Sequence, residues 1–86
     1  MFMKTPKAFQ HLLINIGQRL AELRVKKGYA TIKDFAAKYG LPEIQYWRME
    51  RGKANLTLKS LVRVLVIHNI SVQEFFCLVS DEKLAA

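Results

Sequence analysis

The chain has 86 residues, of which 51% are hydrophobic and 24% are charged, and its formal net charge is +7. This length allows one small domain with its own core, and a single cysteine excludes an internal disulfide bond. No apolar run reaches membrane-spanning length and the first residues carry no secretory signal, so we expect a cytoplasmic protein that does not contact a membrane.

The first predicted helix begins at the Thr5–Pro6 pair and ends at Lys27, where Gly28 stops it. Its apolar residues recur at the spacing that places them on one face of a helix. These residues are Phe9, Leu12, Leu13, Ile16, Leu20 and Leu23.

The segment from Thr31 to Gly52 predicts two short helices separated by a tight turn. Thr31 and Asp34 stand three residues apart, a spacing at which the hydroxyl and the carboxylate can satisfy N–H groups reciprocally at a helix start. Gly40 suits the left-handed conformation that ends a helix, and Pro42 suits the first turn of the next one. Two helices joined in this way form the unit that lays its second helix in a DNA major groove.

Two more helices follow a short connection. The fourth begins at Thr57 and stops at Asn69, and the fifth begins at Ser71, which stands three residues before Glu74 in a second start pattern. No stretch of the chain shows the alternation typical of a strand.

The five helices together predict an all-α protein with a single domain over residues 1–86. We expect residues 1–15 to form a helical extension at the N-terminus and residues 81–86 to form a loose tail. Cys77 lies in the apolar fifth helix, where we expect a small core residue and not a nucleophile.

Basic residues are concentrated on the two-helix unit and its surroundings. From Arg19 to Arg63 the chain carries eleven Lys and Arg residues against four acids. A surface of this sign attracts polyanions such as nucleic acid, although a charged surface can also serve solubility alone. Charge by itself does not choose between these interpretations.

The fourth helix is apolar almost all round, and one small core cannot bury every side of it. Either the N-terminal extension, with Phe2, Met3, Phe9 and Leu13, covers the remaining side, or a second copy does. We expect a homodimer through helices four and five, because two reading helices about one DNA turn apart match a palindromic site. At the end of helix four, His68 is expected to be neutral and hydrogen-bonded.

Catalytic and cofactor sites are not predicted. The two histidines, His11 and His68, lie far apart without other plausible ligands nearby, so we expect no metal. No nucleophile and base recur at a meaningful spacing, and there is no phosphate-binding loop. We therefore expect no enzyme activity, no cofactor and no small-molecule substrate.

Four segments resemble the lambda-repressor-like, Cro/repressor (XRE) family of helix-turn-helix DNA-binding proteins. They span about residues 16–76 and read IGQRLAELRVKKG, DFAAKYGL, RMERGKANLTLKSL and ISVQEFF. The resemblance implies a five-helix lambda-repressor-like fold with the helix-turn-helix at helices two and three. It also implies a sequence-specific transcriptional regulator that binds double-stranded operator DNA.

The resemblance also implies roles for individual residues. Arg24 and Glu50 match an ion pair that supports the reading helix. Positions that face base edges are Glu43, Ile44, Gln45 and Arg48. Positions that contact phosphates are Thr31, Arg51, Lys53 and Asn55.

The chain departs from the family pattern at the start of each of these two helices. Ile32 stands where helix two usually begins with Gln. Pro42, Glu43 and Ile44 stand where helix three usually begins with Ser, Thr, Gln or Arg. These departures favour an alternative function, a protein-interaction or antitoxin-like module in which DNA reading is weakened.

Three other residues of helix three have structural interpretations. The spacing of Tyr46 and Met49 places them on the inward side with Glu50, so we predict core positions for both. The ring of Trp47 is predicted to pack at the edge of the core, and the alternative is that its indole N–H reaches a phosphate.

Overall fold

The computed structural model describes residues 6–53 and 56–79, and within them the chain forms five α-helices and no strand. The all-α prediction is therefore confirmed. The predicted helix start at Thr5, the extension residues Phe2 and Met3, and the tail at 81–86 lie outside the described residues. The helices are α1 (Lys7–Lys26), α2 (Ile32–Tyr39), α3 (Glu43–Glu50), α4 (Leu58–Ile67) and α5 (Val72–Val79).

Short-range hydrogen bonds set the starts of α2 and α5. At α2 the structure shows the predicted hydrogen bond to the hydroxyl group, in which the Asp34 N–H donates to Thr31 Oγ1 over 3.1 Å. At α5 both halves form: the Glu74 N–H donates to Ser71 Oγ over 3.0 Å, and the Ser71 N–H donates to Glu74 Oε1 over 2.9 Å. The bond from the Ser71 backbone lowers the pKa of the Glu74 carboxyl. Local sequence therefore determines where these helices begin.

The core lies where all five helices meet, and each helix contributes at least one buried side chain. Tyr46 and Met49 of α3 are among them, as predicted. Of the apolar residues predicted for α1, Phe9 is the one that the structure leaves exposed. The central buried cluster consists of Ile16, Leu20, Phe35, Tyr46, Met49, Leu61, Val64, Leu65, Phe75 and Val79.

Cys77 is exposed on α5, so the expectation that it fills a core position is wrong. The buried residues of α5 are Phe75 and Val79, which stand four apart on one side of the helix. Each residue of an α-helix is turned by about 100° from the last, so Cys77 points away from both.

His68 follows the last residue of α4 and its ring stacks on Phe35, with centroids 5.5 Å apart and planes inclined by 8°. Its Nε2 atom is buried and has no hydrogen-bond partner within the described residues. Burial lowers the pKa of the His68 imidazole, and the charge of Lys27 lowers it further. Both effects favour the neutral ring that the sequence predicts.

α4 is apolar on two sides. One side, with Leu61, Val64 and Leu65, is buried in the core. The other side is exposed and consists of Leu58, Val62 and Val66, whose exposed fractions are 66%, 38% and 69%. Across residues 6–53 and 56–79, no individual helix has both the length and the hydropathy needed to cross a membrane. α4 and α5 reach that length and hydropathy only when taken together, and the two helices are bent by 97° relative to each other.

Candidate nucleic-acid interface

α3 buries one face and exposes the other. Tyr46 and Met49 face the core, where α3 packs against α1 and α2. The opposite face is exposed, and Ile44 is its most exposed apolar side chain, with 71% of its surface accessible. All four residues predicted to face DNA bases are exposed: Glu43, Ile44, Gln45 and Arg48. Each of these four side chains is therefore accessible to a partner.

An ion pair ties the end of α3 to α1. The Arg24 guanidinium donates from Nε to Glu50 Oε2 over 2.8 Å and from Nη2 to Glu50 Oε1 over 3.2 Å. Its third nitrogen, Nη1, donates to the Tyr29 carbonyl oxygen over 2.7 Å. The Glu50 side chain is only 5% exposed, and its hydrogen bonds raise the pKa of Arg24. A bidentate pair of this kind fixes direction as well as distance, so it orients α3 on its scaffold.

Tyr46 reinforces the packing beneath this ion pair. Its phenol is buried, and this burial raises the pKa of the hydroxyl well above its ordinary value. The neighbouring Glu50 carboxylate also raises the pKa, while Arg24 lowers it. Because the phenol stays neutral at physiological pH, it places no second negative charge beside Glu50.

The C-terminal end of α3 presents two of the residues predicted to contact phosphates. The Arg51 guanidinium carbon lies 5.1 Å from the centroid of the Trp47 ring, a cation–π contact. Gly52 adopts a left-handed φ of 67°, and the Lys53 N–H then donates to the Arg48 carbonyl oxygen over 3.0 Å. Arg51 and Lys53 are thus exposed next to the outer face of α3.

Trp47 has a role that the sequence did not predict. The residue is 38% exposed, and its ring supports the side chain of Arg51, which lies one helical turn further along. The spacing of four residues was a possible signal, because side chains at that separation meet on a helix surface.

Of the two remaining residues predicted to contact phosphates, one is described and one is not. Thr31 is exposed at the start of α2, and its oxygen accepts from the Asp34 N–H, so its own hydroxyl proton can be donated to an anion. Ile32, at the position where a Gln is usual, is partly buried and packs against the core. Asn55 lies outside the described residues.

α4 contributes two contacts to the start of α3 that the sequence did not predict. Arg63 Nη2 donates to the carbonyl oxygen of Gly40, the residue that ends α2, over 3.0 Å. Gln45 Nε2 donates to Ser60 Oγ over 3.5 Å. The residues of each pair are 23 and 15 positions apart, so no local spacing could indicate either contact. These contacts flank a cleft of about 30 Å³ between α3 and α4.

Comparison with known proteins identifies a similar solved structure. No protein-family model and no curated protein matches the chain. The chain is similar to the crystal structure of the restriction-modification controller protein C.AhdI from Aeromonas hydrophila, with a TM-score of 0.65 and 33% sequence identity. The similarity covers 74% of this chain and 96% of that chain.

Proposed function

The chain belongs to the lambda-repressor-like Cro/repressor (XRE) family of helix-turn-helix proteins, and on this premise we propose that it is a cytoplasmic transcriptional regulator that binds operator DNA as a homodimer. Its similarity to a restriction-modification controller supports a regulatory role in place of an enzymatic one. The observation that carries the proposal is the accessible outer face of α3.

The outer face of α3 has the chemistry needed to read bases. In the major groove, Gln pairs with adenine and Arg pairs with guanine, in each case through two hydrogen bonds. A carboxylate accepts from the amino group of cytosine, and an aliphatic side chain contacts the methyl group of thymine. Gln45, Arg48, Glu43 and Ile44 supply one group of each kind within a helix of eight residues. We propose that these four side chains set sequence preference.

Residues around α3 are proposed to hold the DNA backbone. Arg51 and Lys53 are exposed beyond its C-terminal end, and Thr31 is exposed at the start of α2. We assign Asn55 to the same role from the family resemblance. Contacts to phosphate fix affinity and register without reading sequence, and each contact releases counterions from the duplex.

The exposed side of α4 supports the proposal of a homodimer. Leu58, Val62 and Val66 recur every four residues and form an exposed stripe, and Leu78 of α5 is 41% exposed. Two copies related by a twofold axis would bury these side chains against each other. The two α3 helices would then read two half-sites of a palindrome about one turn of DNA apart.

Selection from random duplex DNA tests this proposal directly. The full chain is incubated with random duplexes, bound fragments are sequenced, and affinity for the enriched fragment is measured over a range of salt concentrations. We expect a shared palindrome and a steep fall in affinity with added salt. Absence of any enriched sequence, together with no duplex binding at low salt, would contradict the proposed function.

The alternative is a protein-interaction or antitoxin-like module, and the exposed apolar side chains of Ile44 and of the α4 stripe favour it. Such a module would bind a protein partner with little dependence on salt, because salt screens interactions between charges and the burial of apolar surface does not rely on them. Salt-insensitive capture of a protein, in a chain that enriches no DNA sequence, would support this alternative over DNA reading.

A further inference from the structure

The side chain of Gln45 is tied to a helix other than its own. Its Nε2 atom donates to Ser60 Oγ at the start of α4, over 3.5 Å. The two residues are separated by 15 positions along the chain, so this contact exists only because the fold brings residues of α3 and α4 to the same cleft. Both side chains also line the cleft between the two helices, and Arg63 lies on the same cleft.

Ser60 is itself held in place by the residue that caps α4. The Thr57 hydroxyl donates to Ser60 Oγ over 2.9 Å, and the Ser60 N–H donates to Thr57 Oγ1 over 3.1 Å. Ser60 Oγ therefore accepts from two partners, Thr57 on one side and Gln45 on the other. A series of hydrogen bonds through hydroxyl and amide groups thus connects the backbone of α4 to the Gln45 side chain of α3.

Orientation of the amide matters for base recognition. A Gln side chain pairs with adenine through one Nε2 hydrogen and through Oε1, and both must lie in the plane of the base. Nε2 carries two hydrogens, so donation of one to Ser60 leaves the other hydrogen and Oε1 for a base. A side chain that is already restrained loses less conformational freedom on binding.

We infer that Ser60 is a positioning residue that sets the base preference at the DNA position read by Gln45, without itself contacting a base. This inference rests on the proposed function, because it requires that α3 enters the major groove. It extends the set of residues that determine specificity from α3 to the start of α4. Thr57 belongs to the same series of hydrogen bonds, one step further from the DNA.

The test compares base preferences of variants of the full chain by selection from random duplexes. Ser60→Ala removes the hydroxyl but retains the backbone N–H that Thr57 caps, so α4 keeps its start, and Ala is a good helix former. Ser60→Thr keeps a hydroxyl and serves as the conservative variant. Gln45→Ala identifies which base position Gln45 reads, since that position loses its preference.

We expect Ser60→Ala to reduce discrimination by about threefold to tenfold at the same base position that Gln45→Ala affects, the range expected for one hydrogen bond. Other base positions and binding to random duplex should be unchanged. Ser60→Thr should restore the preference. In a double variant with Gln45→Ala, the change at Ser60 should have no additional effect, because it acts through the amide.

Failure of this inference differs from failure of the proposed function. If the unchanged chain enriches a palindrome and Ser60→Ala keeps its full base preference, the inference alone is overturned. It is also overturned if Ser60→Ala weakens all sequences equally or if its effect persists without Gln45. If the unchanged chain enriches no sequence, the proposed function and this inference fail together.

Discussion

A Cβ atom built on Gly17 of α1 would lie 2.7 Å from the carbonyl oxygen of Met49 in α3, closer than non-bonded atoms approach. The carbonyl carbon of Glu50 would be equally close. Only glycine therefore allows the two helix backbones to meet at this point. The contact lies directly beside the ion pair between Arg24 and Glu50, so both features fix the same end of the proposed reading helix.

Substitution of Gly17 should displace α3. We expect Gly17→Ala to lower the free energy of unfolding by about 1 to 3 kcal/mol, because the added methyl group overlaps backbone atoms that cannot rotate away. Alanine alone would favour the helix by about 1 kcal/mol, so the direction of the effect is informative. Denaturant unfolding measures it, with the exposed neighbour Gln18→Ala as control. Equal stability of Gly17→Ala and the unchanged chain would contradict the close approach.

Loss of Glu50 should be costly. Glu50→Ala leaves the guanidinium of Arg24 without its carboxylate, and we expect a destabilisation of about 3 kcal/mol in thermal or denaturant unfolding. The exposed pair of Arg19 and Glu22, 2.7 Å apart, provides the control. Glu22→Ala should cost less than about 1 kcal/mol. A melting temperature unchanged by Glu50→Ala would remove the ion pair from the stabilising contacts.

Arg48 and Lys53 should differ in what they contribute to DNA binding. Arg48→Ala should weaken binding to the selected sequence by about 1 to 3 kcal/mol and leave binding to random duplex nearly unchanged. Lys53→Ala should weaken binding to both the selected sequence and random duplex, because one phosphate contact is lost. The slope of log affinity against log salt concentration should fall by about 1 in magnitude. Titration of both duplexes at several salt concentrations separates the two. Equal losses on both duplexes for Arg48→Ala would assign it to the backbone.

A charge on the exposed side of α4 should separate the proposed dimer. In Val66→Lys each copy would bury an unpaired ammonium group at the seam, and we expect the dissociation constant for self-association to rise by at least about tenfold. Sedimentation equilibrium measures this change, and cooperative binding to the palindrome should fall with it. Gln73→Lys adds the same charge at an exposed position of α5 and should act less strongly. If the Val66→Lys protein remained fully dimeric, the dimer interface would not lie on this side of α4.

Stability should decrease below neutral pH because of His68. Its pKa is lowered from the ordinary value of 6.5 by burial and by Lys27, so the unfolded chain binds more protons than the folded chain in this range. The stability that the neutral His68 ring contributes above pH 6.5 is therefore lost as the pH falls from that value to the lowered pKa of the folded chain. We expect His68→Gln to flatten the decline in melting temperature between about pH 7 and about pH 5.

The control for this pH dependence is His11→Gln, since His11 is exposed on α1. This variant should show the same dependence of melting temperature on pH as the unchanged chain. A profile that His68→Gln does not alter would show that protonation of this ring is not coupled to unfolding.

The ends of the helices were largely predictable from the sequence. Thr31 begins α2, Gly40 ends it, Ser71 begins α5, and Asn69 stops α4 with a left-handed φ of 55°. Each of these signals acts between residues a few positions apart, through one hydrogen bond or one backbone conformation. Such interactions are present in the sequence itself, whatever the rest of the chain does.

Burial was predictable only in part. The two inward residues of α3, Tyr46 and Met49, were correctly assigned, because their spacing places them with Glu50 on one side of the helix. Cys77 was assigned to the core because it stands in an apolar segment, but it lies outside, on the side of α5 that carries the polar residues Gln73 and Glu74. Residue type alone does not show which side of a helix a residue occupies, whereas its position in the helical repeat does.

The sequence alone determined the five helices, the turn at Gly40 and the family resemblance, since these depend on local spacing and on residue type. Only the tertiary structure decided that Gly17 meets the backbone of α3, that Ser60 contacts Gln45, and that Arg63 contacts Gly40. The physical reason is that these contacts depend on the angles and distances between whole helices. Those angles result from many weak packing contacts acting together, and no short segment of the chain encodes them.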